Sequence, residues 1–239
     1  MKFISLIVCV VVGTVGFGQK SGSELMTAMV KSDKLMGQGV KSLEKKRYKK
    51  ARSYFESALE ENEWCYDAQS YLGVLYYFEK QPEQAIESFQ KGLILFDAYK
   101  EKLATEKKQL LEKVNRSKMD ALRIGGEQGV LKARPFLRQI EVIESEMKED
   151  QKMTYPSFFR FKYGNALYMM NRVNEAKQQF QTIVHDDPKF KDVYANLTLC
   201  WFAEGNQDEA LACYKKGKEL GTKFHPDLEK QLKQLEDIQ

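Results

Sequence analysis

Two histidines, His185 and His225, and four cysteines, Cys9, Cys65, Cys200 and Cys213, are the chain's entire supply of imidazole and thiol. The histidines fall in turn regions of separate segments, so neither a metal cluster nor a histidine-based nucleophilic triad finds enough parts in one place. His185-Asp186-Asp187 could touch a cation, yet the run reads more simply as the polar end of a helix. The stretch GGEQG at 125–129 lacks the Lys-Ser/Thr of a phosphate-cradling loop and follows no strand, which makes it a turn. Carboxylates are abundant, but they stand beside lysines at helical spacing, as on a solvated face, and nothing singles out an acid/base couple. The expectation is a protein that is not an enzyme and uses no cofactor or metal.

At 239 residues, 43% hydrophobic and 30% charged, the chain can bury a continuous core, and a net charge of +4 does not by itself argue for nucleic acid. The basic run Lys41–Arg52 would sit at a hairpin turn, where it could attract an anionic lipid, polysaccharide or nucleic acid; a solvated tip explains it as well. Asn115-Arg116-Ser117 and Asn196-Leu197-Thr198 match the glycosylation triplet, which has meaning only in a eukaryotic secretory pathway.

Met1 and Lys2, the apolar run Phe3–Phe17 and the small pair Gly16 and Gly18 predict a cleavable secretory signal over residues 1–18, cut before Gln19. The run is shorter than the roughly 20 residues a membrane-spanning helix needs. Cys9 follows Val8 and lies too early for lipidation. The mature protein is therefore expected to be exported, periplasmic or extracellular, with no stable membrane insertion and no nucleic-acid partner. Three cysteines then remain, an odd count that excludes a fully paired disulfide framework. Cys200 and Cys213, on opposite arms of one hairpin, are either an oxidised pair or, preferably, buried free thiols acting as small hydrophobes.

What must position any site is a scaffold with a fixed period. Gly39, Ala51 and Phe55 return 34 residues later as Gly73, Ala85 and Phe89, and Ala176 and Phe180 return as Ala210 and Tyr214 at the same spacing. Four units follow, Ser32 to Cys65, Tyr66 to Tyr99, Ser157 to Phe190 and Lys191 to Phe224, each with two apolar-periodic stretches flanking a polar turn. The glycines and alanines are expected where paired helices approach closely, and the aromatics four residues past the alanines are expected to plug the space between consecutive hairpins.

Residues 100–156 interrupt the period. Leu103, Leu110, Leu111 and Val114 predict an extension of the preceding helix, Phe136, Ile140, Ile143 and Met147 a second helix, and Gly125–Gly129 the turn between them. A mobile arm is the alternative. Pro226 and Asp227 then open a capping helix over 225–239 with a charged outer face.

The segments YLGVLYYFEKQPEQAIESFQKGL, YGNALYMMNRVNEAKQQFQTIVHDDP and NLTLCWFAEGNQDEALACYKKG resemble tetratricopeptide repeats, with large, small and aromatic positions in order. The resemblance covers four repeats, with departures: polar Gln38 and Ser42 in repeat one, Ile183 for a small residue in repeat three, Thr198 for glycine in repeat four, and a closing proline, Pro188, in repeat three alone. It implies an all-α helical-hairpin solenoid, a right-handed superhelix, divided as linker 19–31, repeats one and two 32–99, helical insertion 100–156, repeats three and four 157–224, and cap 225–239.

In such proteins the first helices line a concave groove. Carried onto this chain, the groove positions that could hold a partner are Val74, Tyr77, Phe78, Phe158, Phe161, Asn165, Tyr168, Met169, Leu199 and Phe202, with Asp67, Ser70, Asp192, Ala195 and Ala203 at the remaining matched places. Aromatic side chains there would supply contact area at low entropic cost, and the Asn165 amide could bond a peptide backbone. A basic clamp for an acidic C-terminus is not expected, since Met36, Val40 and Ser70 occupy its places.

The resemblance thus implies a non-catalytic scaffold that binds a protein or peptide segment, in an envelope assembly if the leader is used. The insertion or the N-terminal segment could instead fill the groove. Rival readings place an enzymatic or carbohydrate site in 100–156, or an anionic-surface site in 41–52.

Overall fold

Apolar residues spaced three and four apart make the described part of the chain a succession of helices. The computed structural model describes residues 22–236, and the expected leader, 1–18, lies outside them. Among the described residues there are helices only: α1 Gly22–Glu44, α2 Tyr48–Glu61, α3 Tyr66–Phe78, α4 Pro82–Leu122, α5 Gly126–Gln151, α6 Ser157–Met169, α7 Val173–Asp186, α8 Asp192–Ala203, α9 Gln207–Glu219 and α10 Pro226–Glu236.

One turn closes four of the hairpins. Lys46, Lys80, Asn171 and Gly205 all have positive φ, between 55° and 79°, and each is 34 residues from its counterpart in the neighbouring repeat of its pair. At each, the left-handed residue donates its N–H three residues back, and its successor donates five back, as in Arg47 to the Ser42 carbonyl and Gln81 to the Tyr76 carbonyl, both 2.9 Å. These paired bonds satisfy the carbonyls a helix leaves open at its C-terminus and turn the chain into the next helix.

Across each hairpin lies the close approach that the small residues anticipate. A Cβ added to Gly39, Gly73 or Gly164 would come within 3 Å of the ring of Phe55, Phe89 or Phe180 respectively. The expected plug between hairpins is therefore first of all a plug within one: the ring lies over its own hairpin's glycine, because that glycine alone leaves room for it. Phe89 also meets the ring of Tyr163 in the following hairpin, with centroids 5.9 Å apart. In the fourth repeat Thr198 stands in the glycine's place, and the Tyr214 ring packs edge-on against Phe224 at 4.9 Å.

The chain divides into two compact units. The first comprises residues up to Tyr66 together with Ile94–Met153, and so holds α1, α2, the C-terminal part of α4, and α5. Here the residues 22–31, expected as part of a linker, are the opening turns of α1. Ala28 is buried, the Ser32 hydroxyl donates 2.9 Å to the Ala58 carbonyl, and Lys31 pairs with Glu61, so α2 gives this stretch a face to pack on.

α4 runs for 41 residues without a break and α5 returns antiparallel to it. Val114, Ala121, Ala133 and Ile143 are buried along this pair. Gly129 would bring a Cβ to 3.1 Å from the Ala121 carbonyl oxygen. The turn is tighter than the expected 125–129: Gly125, at φ 78°, ends it, and Gly126 to Gly129 form the first turn of α5, with Pro135 inside that helix.

The second unit holds Asp67–Leu93 and the described residues from Thr154 onward, that is α3, the start of α4, and α6 to α10. Its terminal cluster joins Ala210, Leu211 and Tyr214 of α9 to Leu228 and Leu232 of α10.

Candidate functional site

The site is built on α3 and α6, both in the second unit. What holds these first helices in register is a buried knot that includes Tyr155, two residues ahead of α6. The hydroxyls of Ser70 and Tyr155 share a hydrogen bond of 2.5 Å, and a Cβ on Gly92 would strike the Ser70 oxygen. Burial drives the Tyr155 phenol well above the usual tyrosine range, so it stays neutral and keeps that bond. Tyr71 packs edge-on to Phe159 at 4.9 Å and the Arg160 guanidinium covers the Tyr155 ring at 5.6 Å. Ser70, matched to a groove position, is thus an internal strut.

With α3 and α6 so placed, four of the expected groove aromatics converge on one ammonium. The Nζ of Lys162 lies 5.2 Å from the Tyr77 ring centroid, 5.6 Å from Phe78, 5.7 Å from Phe158 and 5.6 Å from Phe161. Such faces attract a cation through their quadrupoles. Half-burial lowers the Lys162 pKa, while the nearby Asp192 carboxylate works in the opposite direction. Among the described residues Lys162 makes no ion pair within 4 Å, so its charge stands in an aromatic surround.

Further along α6, Tyr168 and Met169 are 44% and 45% exposed, close to the 41% of Phe78 and of Phe158. Large apolar side chains left this open on adjacent first helices make a surface rather than a core. The other matched positions differ. Val74 is fully buried, because its turn of α3 faces inward. Phe161 is half-buried between Phe180 and Phe190, at 6.0 and 5.5 Å. Asn165 accepts a 2.5 Å bond from the Asn196 amide, which ties α6 to α8 and engages the oxygen side of the amide expected to meet a peptide backbone. Leu199 and Phe202 pack against the α9–α10 cluster, since the terminal helix covers that end of α8.

The exposed part of the expected set is therefore Phe78, Phe158, Tyr168 and Met169, with Tyr77 and Phe161 half-buried behind it. Sequence reasoning missed Lys162 and Tyr155. Lys162 was open to discovery, for it stands one helical turn after Phe158 and so shares its face. Tyr155 gave no signal, since it precedes α6 and finds Ser70 only through the fold. Cys65, Cys200 and Cys213 form no disulfide with one another, and burial pushes the Cys200 and Cys213 thiols up to about 11. Among the described residues no group of His, Cys, Asp and Glu is arranged to hold a metal, and no helix is long and apolar enough to cross a membrane.

Paired antiparallel helices repeated on one period define an all-α helical-repeat solenoid. Two family models, each described as tetratricopeptide repeat, match residues 42–96 and 160–189, so the chain carries tetratricopeptide repeats over those residues. No curated protein matches it. Solved structures similar to it include TTC0263, a thermophilic tetratricopeptide-repeat protein of Thermus thermophilus, at 17% identity over 85% of this chain and 97% of that one, TM-score 0.39. PilW, a type IV pilus biogenesis factor, is 15% identical over 82% and 80% of the two chains with a TM-score of 0.42. PilF of Pseudomonas aeruginosa is 18% identical over 83% and 79%, TM-score 0.37.

Proposed function

We propose that this protein is a non-catalytic interaction scaffold that binds a protein or peptide segment on the first-helix face formed by α3 and α6. The observation that carries the reading is the set of large apolar side chains left open there, Phe78, Phe158, Tyr168 and Met169, around the half-buried Lys162. Rings already held by neighbours lose little freedom on contact, and a single desolvated charge selects against a second cation. A segment with apolar side chains at helical or extended spacing would seat on the rings.

The proposal keeps the division into repeats 32–99 and 157–224 around an insertion 100–156, with 225–239 as a cap. It also keeps export by a leader over residues 1–18, periplasmic or extracellular residence after cleavage, and an envelope assembly as the setting. The groove is narrower than the ten matched positions: Val74, Asn165, Leu199 and Phe202 serve packing, and the binding surface is the α3–α6 portion.

The test uses a panel of displayed peptides selected on the purified protein and then titrated against a Phe158→Ala/Tyr168→Ala variant. Both side chains are exposed, so the variant should melt within a few degrees of wild type while losing at least tenfold in affinity. Retained affinity, or a matching collapse of the melting temperature, would reject the surface as the binding site.

A further inference from the structure

The closed end of the α4–α5 hairpin has a composition that neither helix pairing nor the first-helix face uses. Met119, Ile124, Val130 and Leu131 are 52–62% exposed there, and Leu122 at the last position of α4 is 40% exposed. Residues 116–134 also carry five basic side chains, Arg116, Lys118, Arg123, Lys132 and Arg134, against two carboxylates, Asp120 and Glu127. One of those carboxylates is already engaged, Asp120 accepting from Arg123 at 3.0 Å.

Towards the far end of the same hairpin, α5 is acidic. Glu141, Glu144, Glu146, Glu149 and Asp150 crowd the C-terminal half of α5, and Lys107 is buried against Glu146 at 3.2 Å and Asp150 at 2.5 Å. The lysines of α4 at 100–113 offset these carboxylates, so the base is close to neutral and the excess of positive charge lies at the apolar turn.

We infer that this closed end is a membrane-surface contact, docking on the headgroup region of an anionic lipid bilayer. Geometry favours a bilayer over a folded partner. Gly129 faces the α4 carbonyls, so Val130 and Leu131, the next two residues along α5, point away to different sides of the hairpin, while Met119 and Ile124 extend the apolar surface onto α4 and the turn. Apolar side chains spread around a convex end are covered all round by a deformable interface but only on one side by a rigid protein face. The ring of basic residues matches the negative potential of such a surface, and their stems can lie along the acyl boundary with the charges among headgroups. The excess positive charge and the exposed apolar side chains both lie at the turn, which fixes the approach as turn first. Docking of this kind lies on the surface, and among the described residues no helix is long and apolar enough to cross the bilayer.

The test is flotation of the full chain with phosphatidylglycerol vesicles and with phosphatidylcholine vesicles. Binding is expected to the first alone and to weaken with added salt. Ile124→Asp/Leu131→Asp and, separately, Lys132→Glu/Arg134→Glu should each reduce binding at least tenfold with an unchanged circular-dichroism spectrum. These side chains are exposed, and a Leu131→Trp variant gives a second readout, a blue shift of fluorescence on vesicles. Failure to float with phosphatidylglycerol would overturn the inference. So would equal binding by the turn variants, or loss only when Lys45, Lys46 and Lys49 are changed to Glu, which would move the contact to the basic run 41–52. Self-association that depends on Ile124 and Leu131, without vesicle binding, would assign the end to a second copy of the chain and likewise contradict it.

Discussion

A glycine and a phenylalanine sixteen residues apart set the spacing of three hairpins, and their energetics can be tested one at a time. Phe89, fully buried over Gly73, should cost about 3–5 kcal/mol when truncated to alanine. Gly73→Ala should also destabilise, since the ring has to move off its site; urea denaturation measures both. The left-handed turn residues behave differently. Lys80 at φ 61° occupies a conformation that glycine adopts freely, so Lys80→Gly should be neutral or stabilising by up to about 1 kcal/mol, while Gly205→Lys should destabilise. The glycines, alanines and aromatics were legible in the sequence because they recur. Their partners were less so, since a period says that a ring fills a gap but not whose gap it is. The thiols add a pH dependence. With folded values raised to about 11, Cys200 and Cys213 contribute stability that is complete below the unfolded value near 9 and lost as pH rises through 11. The fall in urea midpoint between those two pH values should be shallower in Cys200→Ala/Cys213→Ala.

Between the helices the decisive contacts are those the period does not describe. Lys107 lies buried between two partly exposed carboxylates; the Asp150 contact is ionic by distance. Removing both partners with Glu146→Gln/Asp150→Asn strands a buried ammonium and should cost on the order of 3 kcal/mol, whereas Lys107→Met/Asp150→Leu, which removes the charge on both sides, should be closer to neutral. Thermal melts of the two variants distinguish a structural ion pair from a mere coincidence of charge. The extension of α4 beyond residue 100 was legible from an apolar stripe without glycine or proline. The opening turns of α1 were not, because residues 22–31 lie ahead of the first period, although half of them are apolar and Ala28 and Ser32 meet α2. Nor was the exact start of α5, where Gly129 serves to approach the α4 carbonyls rather than to turn the chain.

On the scale of the whole molecule, repetition made the fold readable and left the site only half so. The matched groove positions come from a pattern of first-helix faces, and that pattern ignores what this chain lays over them. The α9–α10 cluster takes Leu199 and Phe202, and Asn196 takes Asn165. What survives is the α3–α6 face, gathered on a lysine that no groove position named. Scaffold function stands or falls on that face being where a partner sits. The direct measurement is photocrosslinking in the native host with benzoylphenylalanine placed at position 158 or 168, compared with placement at 178 or 181 on α7, in variants of matched stability. A discrete adduct is expected from the first pair of positions and none from the second. Adducts of equal yield from all four, or none from 158 and 168, would rule the α3–α6 face out as the partner site.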